Sequence, residues 1–171
     1  GASVTAVDRS AERLKRLSEN LQRLKLEADV RASDALNFKA QPFDAILLDA
    51  PCTATGTIRR HPEVAWNKRQ SDLSSLADLQ SKLLDHAVTL LKPGGRLVYC
   101  TCSLEPEEGE NQITALMRRN PDVRRVPIVA SELTAAGCVN ENGDDALAAC
   151  LSATGDIRTL PHFLHHDEAR L

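Results

Sequence analysis

Short β-rich runs alternate with amphipathic helical stretches along this 171-residue chain, and this alternation constrains the fold more than any other feature. Apolar or β-branched runs predict four strands, at 4–7, 29–32, 45–48 and 97–100. Leucines at helical spacing predict helices after Ser10, which can act as an N-cap, and from Leu73 to Leu91, and a third helix begins at Pro106. Such an order predicts an α/β fold with an open, mostly parallel sheet and helices on both faces.

Each predicted strand is followed by a polar residue that could take part in chemistry. Asp8, Asp34, Asp49 and Cys102 stand at these positions. Ligands of parallel α/β sheets bind at the carboxyl ends of the strands, so we expect these residues to form one site. Asp8 could accept hydrogen bonds from ribose hydroxyls, and Asp34 could accept one from an adenine amino group. Each acid could instead be a turn or helix-cap residue, and the sequence leaves both interpretations open.

Two cysteines follow the ends of predicted strands. Cys52 comes three residues after Asp49, behind Pro51, and Cys102 ends the fourth strand region. The unbroken apolar run at 45–48 is typical of a strand covered on both faces. Strand alternation predicts that Cys100 points into the sheet packing while Cys102 emerges at the top. Because a thiolate is the strongest ordinary nucleophile, two such thiols indicate covalent chemistry.

Composition excludes several classes of protein. A net charge of −3 argues against a broad electrostatic grip on nucleic acid, although the arginine pair Arg59-Arg60 leaves room for a local basic patch. The five cysteines are odd in number and form no Cys-x-x-Cys pair, and we expect neither a disulfide framework nor a metal site. No signal peptide or membrane span is visible, and we expect a cytoplasmic protein. The oligomeric state is left open.

The chain begins where a nucleotide-binding sheet would have just completed its first strand and glycine-rich loop. We therefore expect that this strand, this loop and as much as a whole upstream domain are missing. On this basis residues 1–171 form a partial catalytic domain.

Two cysteine motifs in this order resemble a known family. The motif from Asp49 to Gly56 (DAPCTATG) and the motif from Thr101 to Glu108 (TCSLEPEE) are similar to those of the RNA 5-methylcytosine methyltransferases. The segment from Ile58 to Trp66 resembles the bacterial small-subunit ribosomal RNA branch, of the RsmB (Sun/Fmu) type. The resemblance spans about residues 4–120 and implies a Rossmann-like class I methyltransferase sheet that uses S-adenosylmethionine.

The resemblance also implies roles for single residues. Cys102 would attack cytosine C6, and Cys52 would assist its release after methyl transfer to C5. Asp8 and Asp34 would bind the cofactor. Asp49 would contact the cofactor or the base edge.

RNA recognition would require an unpaired or flipped cytosine in ribosomal RNA. The candidates for phosphate contacts are Arg59, Arg60 and Lys68, in a long loop expected at 53–70.

Three alternatives bear on this interpretation. A DNA cytosine-5 methyltransferase takes its nucleophile from the Pro-Cys motif, whereas here a second strand-end cysteine, Cys102, is present. An amino-methyltransferase would carry Asn/Asp-Pro-Pro-Tyr in place of Asp49-Ala50-Pro51-Cys52. A catalytically dead domain that binds RNA or a protein partner stays open, because the glycine-rich loop is absent.

The carboxyl end of the chain also departs from the family. An Asp-Gly-Phe-Phe-like strand is replaced by residues 161–171, in which His165-His166 is a poor candidate metal pair.

Overall fold

The computed structural model describes residues 2–67, 69–136 and 149–160. The chain divides into two compact units, Gly1–Leu116 and Met117–Leu171. The first unit contains all the predicted strands and both cysteine motifs. Its strands are β1 (Thr5–Asp8), β2 (Asp29–Ala32), β3 (Phe43–Asp49) and β4 (Leu91–Cys100). The helices are α1 (Ala11–Leu24), α2 (Val64–Asn67), α3 (Gln70–Thr89), α4 (Glu110–Arg119) and α5 (Ala130–Ala135).

The four strands form two parallel pairs. β1 pairs with β2, and β3 pairs with β4, so the predicted parallel α/β arrangement is confirmed. No described strand bridges β1 and β3, so the described strands form two small sheets where the alternation predicted one. In the second pair Asp49 lies opposite Cys100, which aligns the carboxyl ends of the two strands.

Helix α1 begins where the sequence predicts. Ser10 has an extended backbone, and its hydroxyl accepts a hydrogen bond from the Arg13 backbone N–H at 3.3 Å. The helix is terminated by Lys25, the residue after its last position, Leu24. Lys25 adopts a left-handed conformation (φ 55°) and donates its N–H to the carbonyls of the last turn. Serine caps and left-handed C-terminal residues satisfy backbone groups that a helix end leaves unpaired.

The core of the first unit lies under α3. Its buried stripe contains Leu73, Gln80, Leu83, Leu84 and Ala87. Spacings of three and four residues put these side chains on one helical face, which packs on β3 and β4. Leu84 is completely buried, and Leu116 of α4 is 2% exposed.

Only one face of the β3–β4 pair is covered in the described part of the chain. Leu47 is 71% exposed and Val98, its partner on β4, is 54% exposed. The expectation that residues 45–48 are covered on both faces is therefore wrong for this part of the chain. The apolar run correctly predicts a strand, but α3 packs on one side of it.

Two segments differ from the sequence-based expectation. Lys92-Pro93-Gly94-Gly95 lies within β4, whereas the pattern predicted the end of a helix. Gly94 adopts φ +79°, which suits glycine, and the register shifts between Phe43 and Ala45 absorb the irregularity. The expected loop at 53–70 contains a 3-10 turn (Thr55–Thr57) and the short helix α2.

The second unit has less regular structure in its described residues. It shows helix α5 and one isolated antiparallel bridge between Leu151 and Ile157. Arg125 forms an ion pair with Asp156. His165 and His166 lie outside the described residues.

Candidate active site

Cys52 and Cys102 come together at the carboxyl ends of β3 and β4. Their Sγ atoms are 3.4 Å apart, and both cysteines are free thiols. Cys52 is partly buried, whereas Cys102 is exposed. This closeness follows from the parallel pairing, because Asp49 and Cys100 are opposite each other and each thiol lies two or three residues further along its chain.

The two thiols occupy different environments. Burial, together with the hydrogen bond to Cys102, raises the pKa of the Cys52 thiol to about 11. Below that pH the proton therefore stays on Cys52. A neutral Cys52 thiol is a hydrogen-bond donor that faces the sulfur of Cys102.

Main-chain contacts fix the two cysteine loops against each other. The Gly56 N–H donates to the Cys102 carbonyl at 2.9 Å, and the Ala50 N–H donates to the Cys100 carbonyl at 3.0 Å. A Cβ atom at Gly56 would lie 2.7 Å from the Cys102 carbonyl oxygen, closer than real contacts allow. The glycine is required here by close approach of the chains.

A buried polar cluster lies beneath Cys52, and the sequence interpretation missed it. Glu108 is fully buried, and its carboxylate accepts hydrogen bonds from the Thr53 N–H at 3.0 and 3.1 Å. Gln80, also fully buried, donates to the same carboxylate at 3.0 Å and to the Pro51 carbonyl at 2.8 Å. One signal was available: Gln80 is a polar residue in the middle of the apolar stripe of α3.

The structure corrects the prediction for Cys100. This residue is exposed, whereas strand alternation predicted a side chain within the sheet packing. It lies on the face of β3–β4 that α3 does not cover, together with Val98. Its Sγ is 3.8 Å from Oδ1 of Asp49, which ends β3 and is exposed. Burial and the Asp49 carboxylate raise the pKa of the Cys100 thiol.

Asp8 and Asp34 lie at the carboxyl end of the β1–β2 pair. Oδ1 of Asp8 accepts hydrogen bonds from the Ser10 N–H at 2.7 Å and from Arg13 at 2.8 Å. The Ser10 N–H is the main cause that lowers the pKa of the Asp8 carboxyl. Oδ1 of Asp34 accepts from the Leu36 N–H at 2.9 Å. Both acids thus shape turns, as the alternative interpretation held, and each keeps Oδ2 without a partner among the described residues.

The expected RNA-contacting residues are only partly described. Arg59 and Arg60 are exposed, in the segment between the 3-10 turn and α2, and Lys68 lies outside the described residues. Trp66, in α2, is 87% exposed. The described ranges contain no group of three or more metal-ligating side chains. No helix in them combines the length and apolar character needed to cross a membrane.

Solved structures share this arrangement of strands and helices. The crystal structure of PH0851 matches 75% of this chain and 30% of its own, with a TM-score of 0.72 and 35% sequence identity. NSun6 from Pyrococcus horikoshii, solved with SFG, an analogue of S-adenosylmethionine, matches 69% of this chain and 31% of its own, with a TM-score of 0.63 and 33% identity. The fold and the paired strand-end thiols thus define a Rossmann-like methyltransferase domain.

Sequence comparison narrows this class to one family. The family model described as 16S rRNA methyltransferase RsmB/F matches residues 1–169, and the chain belongs to that family. Ribosomal RNA small subunit methyltransferase B of Cronobacter sakazakii is 52% identical over 128 residues, which are 72% of this chain. The same-named protein of Vibrio cholerae is 50% identical over 129 residues. The chain spans about 30% of the length of each of these relatives.

Proposed function

We propose that this chain is part of the catalytic domain of a cytoplasmic enzyme that methylates C5 of a cytosine in small-subunit ribosomal RNA. The observation that carries the proposal is the 3.4 Å separation of the Cys52 and Cys102 sulfur atoms at adjoining strand ends. The family supports ribosomal RNA as the substrate, and the relatives named above are small-subunit methyltransferases. S-adenosylmethionine is the methyl donor in this proposal, supported by the neighbour solved with its analogue.

Cys102 is the nucleophile of the proposed reaction. Its exposure lets it reach a base, and its thiolate would form a bond to cytosine C6. That bond pushes an electron pair from the C5–C6 double bond toward C5, which is otherwise a poor nucleophile. When bound, S-adenosylmethionine would supply the methyl group on a positively charged sulfur, which would keep the electron pair of the broken carbon–sulfur bond as a neutral thioether when the methyl passes to the electron-rich C5.

Cys52 assists the release of the product. A base removes the C5 proton, the C5–C6 double bond forms again, and Cys102 leaves as a thiolate. With a pKa raised to about 11, Cys52 is a neutral thiol at neutral pH. It is therefore suited to donate a hydrogen bond to the departing Cys102 sulfur, and removal of the C5 proton falls to another base.

The strand-end acids fit the proposed cofactor. Asp8 and Asp34 lie at the carboxyl ends of adjacent parallel strands and each has one free carboxylate oxygen among the described residues. Such oxygens can accept bonds from ribose hydroxyls and from an adenine amino group. Asp49 ends β3 three residues before Cys52, where its carboxylate would contact the cofactor or the base edge. Arg59, Arg60 and Lys68 would contact phosphates.

The experiment measures 5-methylcytosine in small-subunit RNA after incubation with the full-length enzyme and radiolabelled S-adenosylmethionine. We expect Cys102→Ala to abolish methylation and Cys52→Ala to accumulate a protein–RNA adduct that survives a denaturing gel. Cys100→Ala, at the neighbouring exposed cysteine, is the matched control and should keep activity. Normal turnover by Cys102→Ala would contradict the nucleophile assignment.

A further inference from the structure

Both peptide groups that flank Cys52 are held by buried side chains. On the amino side, the Pro51 carbonyl accepts a hydrogen bond from Gln80 Nε2 at 2.8 Å. On the carboxyl side, the Thr53 N–H donates to both oxygens of Glu108, at 3.0 and 3.1 Å. Gln80 and Glu108 also bond each other at 3.0 Å. The backbone of Cys52 is therefore clamped at two points by one connected pair.

The clamp is buried, and both oxygens of its carboxylate accept hydrogen bonds. Glu108 and Gln80 are fully buried, and Thr53 is 2% exposed. A carboxylate in such surroundings is costly unless hydrogen bonds satisfy it. Among the described residues, the groups that donate hydrogen bonds to the Glu108 carboxylate are neutral. They are the Thr53 N–H, the Gln80 amide and the Thr53 hydroxyl, the last at 2.5 Å. Hydrogen bonds to a carboxylate are stronger than bonds between neutral groups, and they fix geometry closely.

Stability alone does not explain why glutamine occupies position 80. Its position in the buried stripe of α3 suits an apolar residue, and its Oε1 has no hydrogen-bond partner among the described residues. An unpaired buried carbonyl lowers the stability of the folded protein. The benefit of the amide therefore lies in its two donated bonds, one to Glu108 and one to the Pro51 carbonyl.

The same cluster reaches the loop of Cys102. The Thr53 hydroxyl, which donates to Glu108, lies 3.1 Å from the Ser103 hydroxyl. Tyr99, at the end of β4, donates its hydroxyl to the Glu108 carbonyl at 2.7 Å. The buried carboxylate is thus bonded directly to the segment of Cys52 and is linked to the segment of Cys102 through the Thr53 hydroxyl.

From these contacts we propose that Glu108 is a positioning residue that holds Cys52 at hydrogen-bonding distance from Cys102, with Gln80 as its partner. The inference rests on the proposed function and deepens it. Because the clamp acts on the backbone of Cys52, its loss impairs the release of Cys102 from the base more than the formation of the adduct. Glu108 itself touches neither substrate nor cofactor.

A cross-linking experiment tests the geometry without RNA or cofactor. Diamide, a two-electron oxidant, accepts the two electrons and two protons that Cys52 and Cys102 lose as they form a disulfide. A Cys100→Ser background keeps the tryptic peptide of Cys102 unambiguous, and mass spectrometry follows the disulfide. We expect Glu108→Ala to slow its formation about 10-fold or more, because reaction rates fall steeply with misplacement. Glu108→Gln retains the size of the side chain and one acceptor, so its effect should be smaller.

The control for this experiment is Gln112→Ala. Gln112 is also buried and makes two side-chain hydrogen bonds, to the carbonyls of Ala77 and Glu107, and neither bond involves a peptide group that flanks Cys52 or Cys102. Thermal unfolding of all variants is measured in parallel. Equal cross-linking rates in the Glu108→Ala and Gln112→Ala variants would overturn the proposal. If Glu108→Ala does not fold, the decision rests on Glu108→Gln, whose cross-linking at the rate of the parent would equally overturn it.

A second experiment separates positioning from general loss of structure. In the RNA assay, Glu108→Ala should raise the amount of denaturation-resistant adduct about 10-fold over the unsubstituted protein, as a partial form of the Cys52→Ala behaviour. A merely destabilised protein would lose adduct and methylation together. Adduct from Cys52→Ala but none from Glu108→Ala would overturn the positioning role. No adduct from Cys52→Ala would count against the proposed function instead, and the cross-linking result would then decide the positioning role.

Discussion

The sulfur atoms of Cys52 and Cys102 lie 3.4 Å apart although 50 residues separate them in the sequence. Each thiol follows a strand of the same parallel pair, and the Gly56 N–H joins the two loops through the Cys102 carbonyl. Burial sets the thiols apart chemically by keeping the proton on Cys52. One sulfur is accessible and the other is a neutral donor beside it, and this difference leads to the first prediction.

Cys52 should resist alkylation at moderate pH. Its pKa is raised to about 11, so its thiolate fraction at pH 8 is roughly 100-fold below that of an ordinary thiol. Iodoacetamide labelling followed by mass spectrometry should show slow modification that accelerates as the pH approaches 11. In the Cys102→Ala variant one cause of the raised pKa is gone, and labelling at pH 8 should become faster. Labelling of Cys52 at the rate of a free peptide cysteine would contradict this account.

Gly56→Ala should disturb the cysteine loops. The added Cβ would lie 2.7 Å from the Cys102 carbonyl oxygen, so the backbone must move, and we expect a loss of about 1–3 kcal/mol in the free energy of unfolding. Urea unfolding followed by circular dichroism measures it. Gly109→Ala is the matched control, because a Cβ there meets only the Glu105 carbonyl oxygen, at 3.7 Å. A Gly56→Ala protein as stable as the control would refute the close-approach argument.

Leu84→Ala should strongly destabilise the first unit. Leu84 is completely buried on the inner face of α3, and removal of such a side chain costs about 2–5 kcal/mol. Leu47→Ala, on the open face of the β3–β4 pair at 71% exposure, should cost less than about 1 kcal/mol. The two substitutions remove the same atoms, so the difference in their chemical unfolding curves isolates burial. Equal losses would mean that Leu47 is covered in solution.

Ser10→Ala should weaken helix α1 at its first turn. The Ser10 hydroxyl accepts a hydrogen bond from the Arg13 N–H, and loss of such a cap costs about 0.5–2 kcal/mol. Ser10→Asp, which also caps helices, should stay close to the unsubstituted protein in the same urea titration. A destabilised Ser10→Asp protein would show that the hydroxyl serves some other contact.

Local sequence patterns predicted the elements of the first unit well. Apolar runs fixed the four strands, and Ser10 marked the start of α1, because strand alternation and helix caps are short-range properties. The pattern also predicted that Cys52 and Cys102 stand at strand ends. Their distance required only that β3 and β4 be neighbours in a parallel pair.

The buried cluster and the open sheet face could not be predicted in this way. Glu107, Glu108 and Glu110 are alike in sequence, yet of these three only Glu108 is buried. Its burial depends on Gln80, 28 residues earlier, and on the Thr53 loop. The exposure of Leu47 and Cys100 likewise depends on which face of the β3–β4 pair α3 covers. Local sequence patterns do not predict such contacts, because the residues involved are far apart in the chain.

The clamp around Cys52 determines when the two thiols reach their positions. Its bonds join residues between Pro51 and Glu108 and involve no external ligand, so the thiol pair is assembled when the chain folds. The entropy of fixing two flexible loops is therefore lost once, during folding, and not again at every encounter with a ligand. A preorganised pair of this kind keeps its geometry between one encounter and the next.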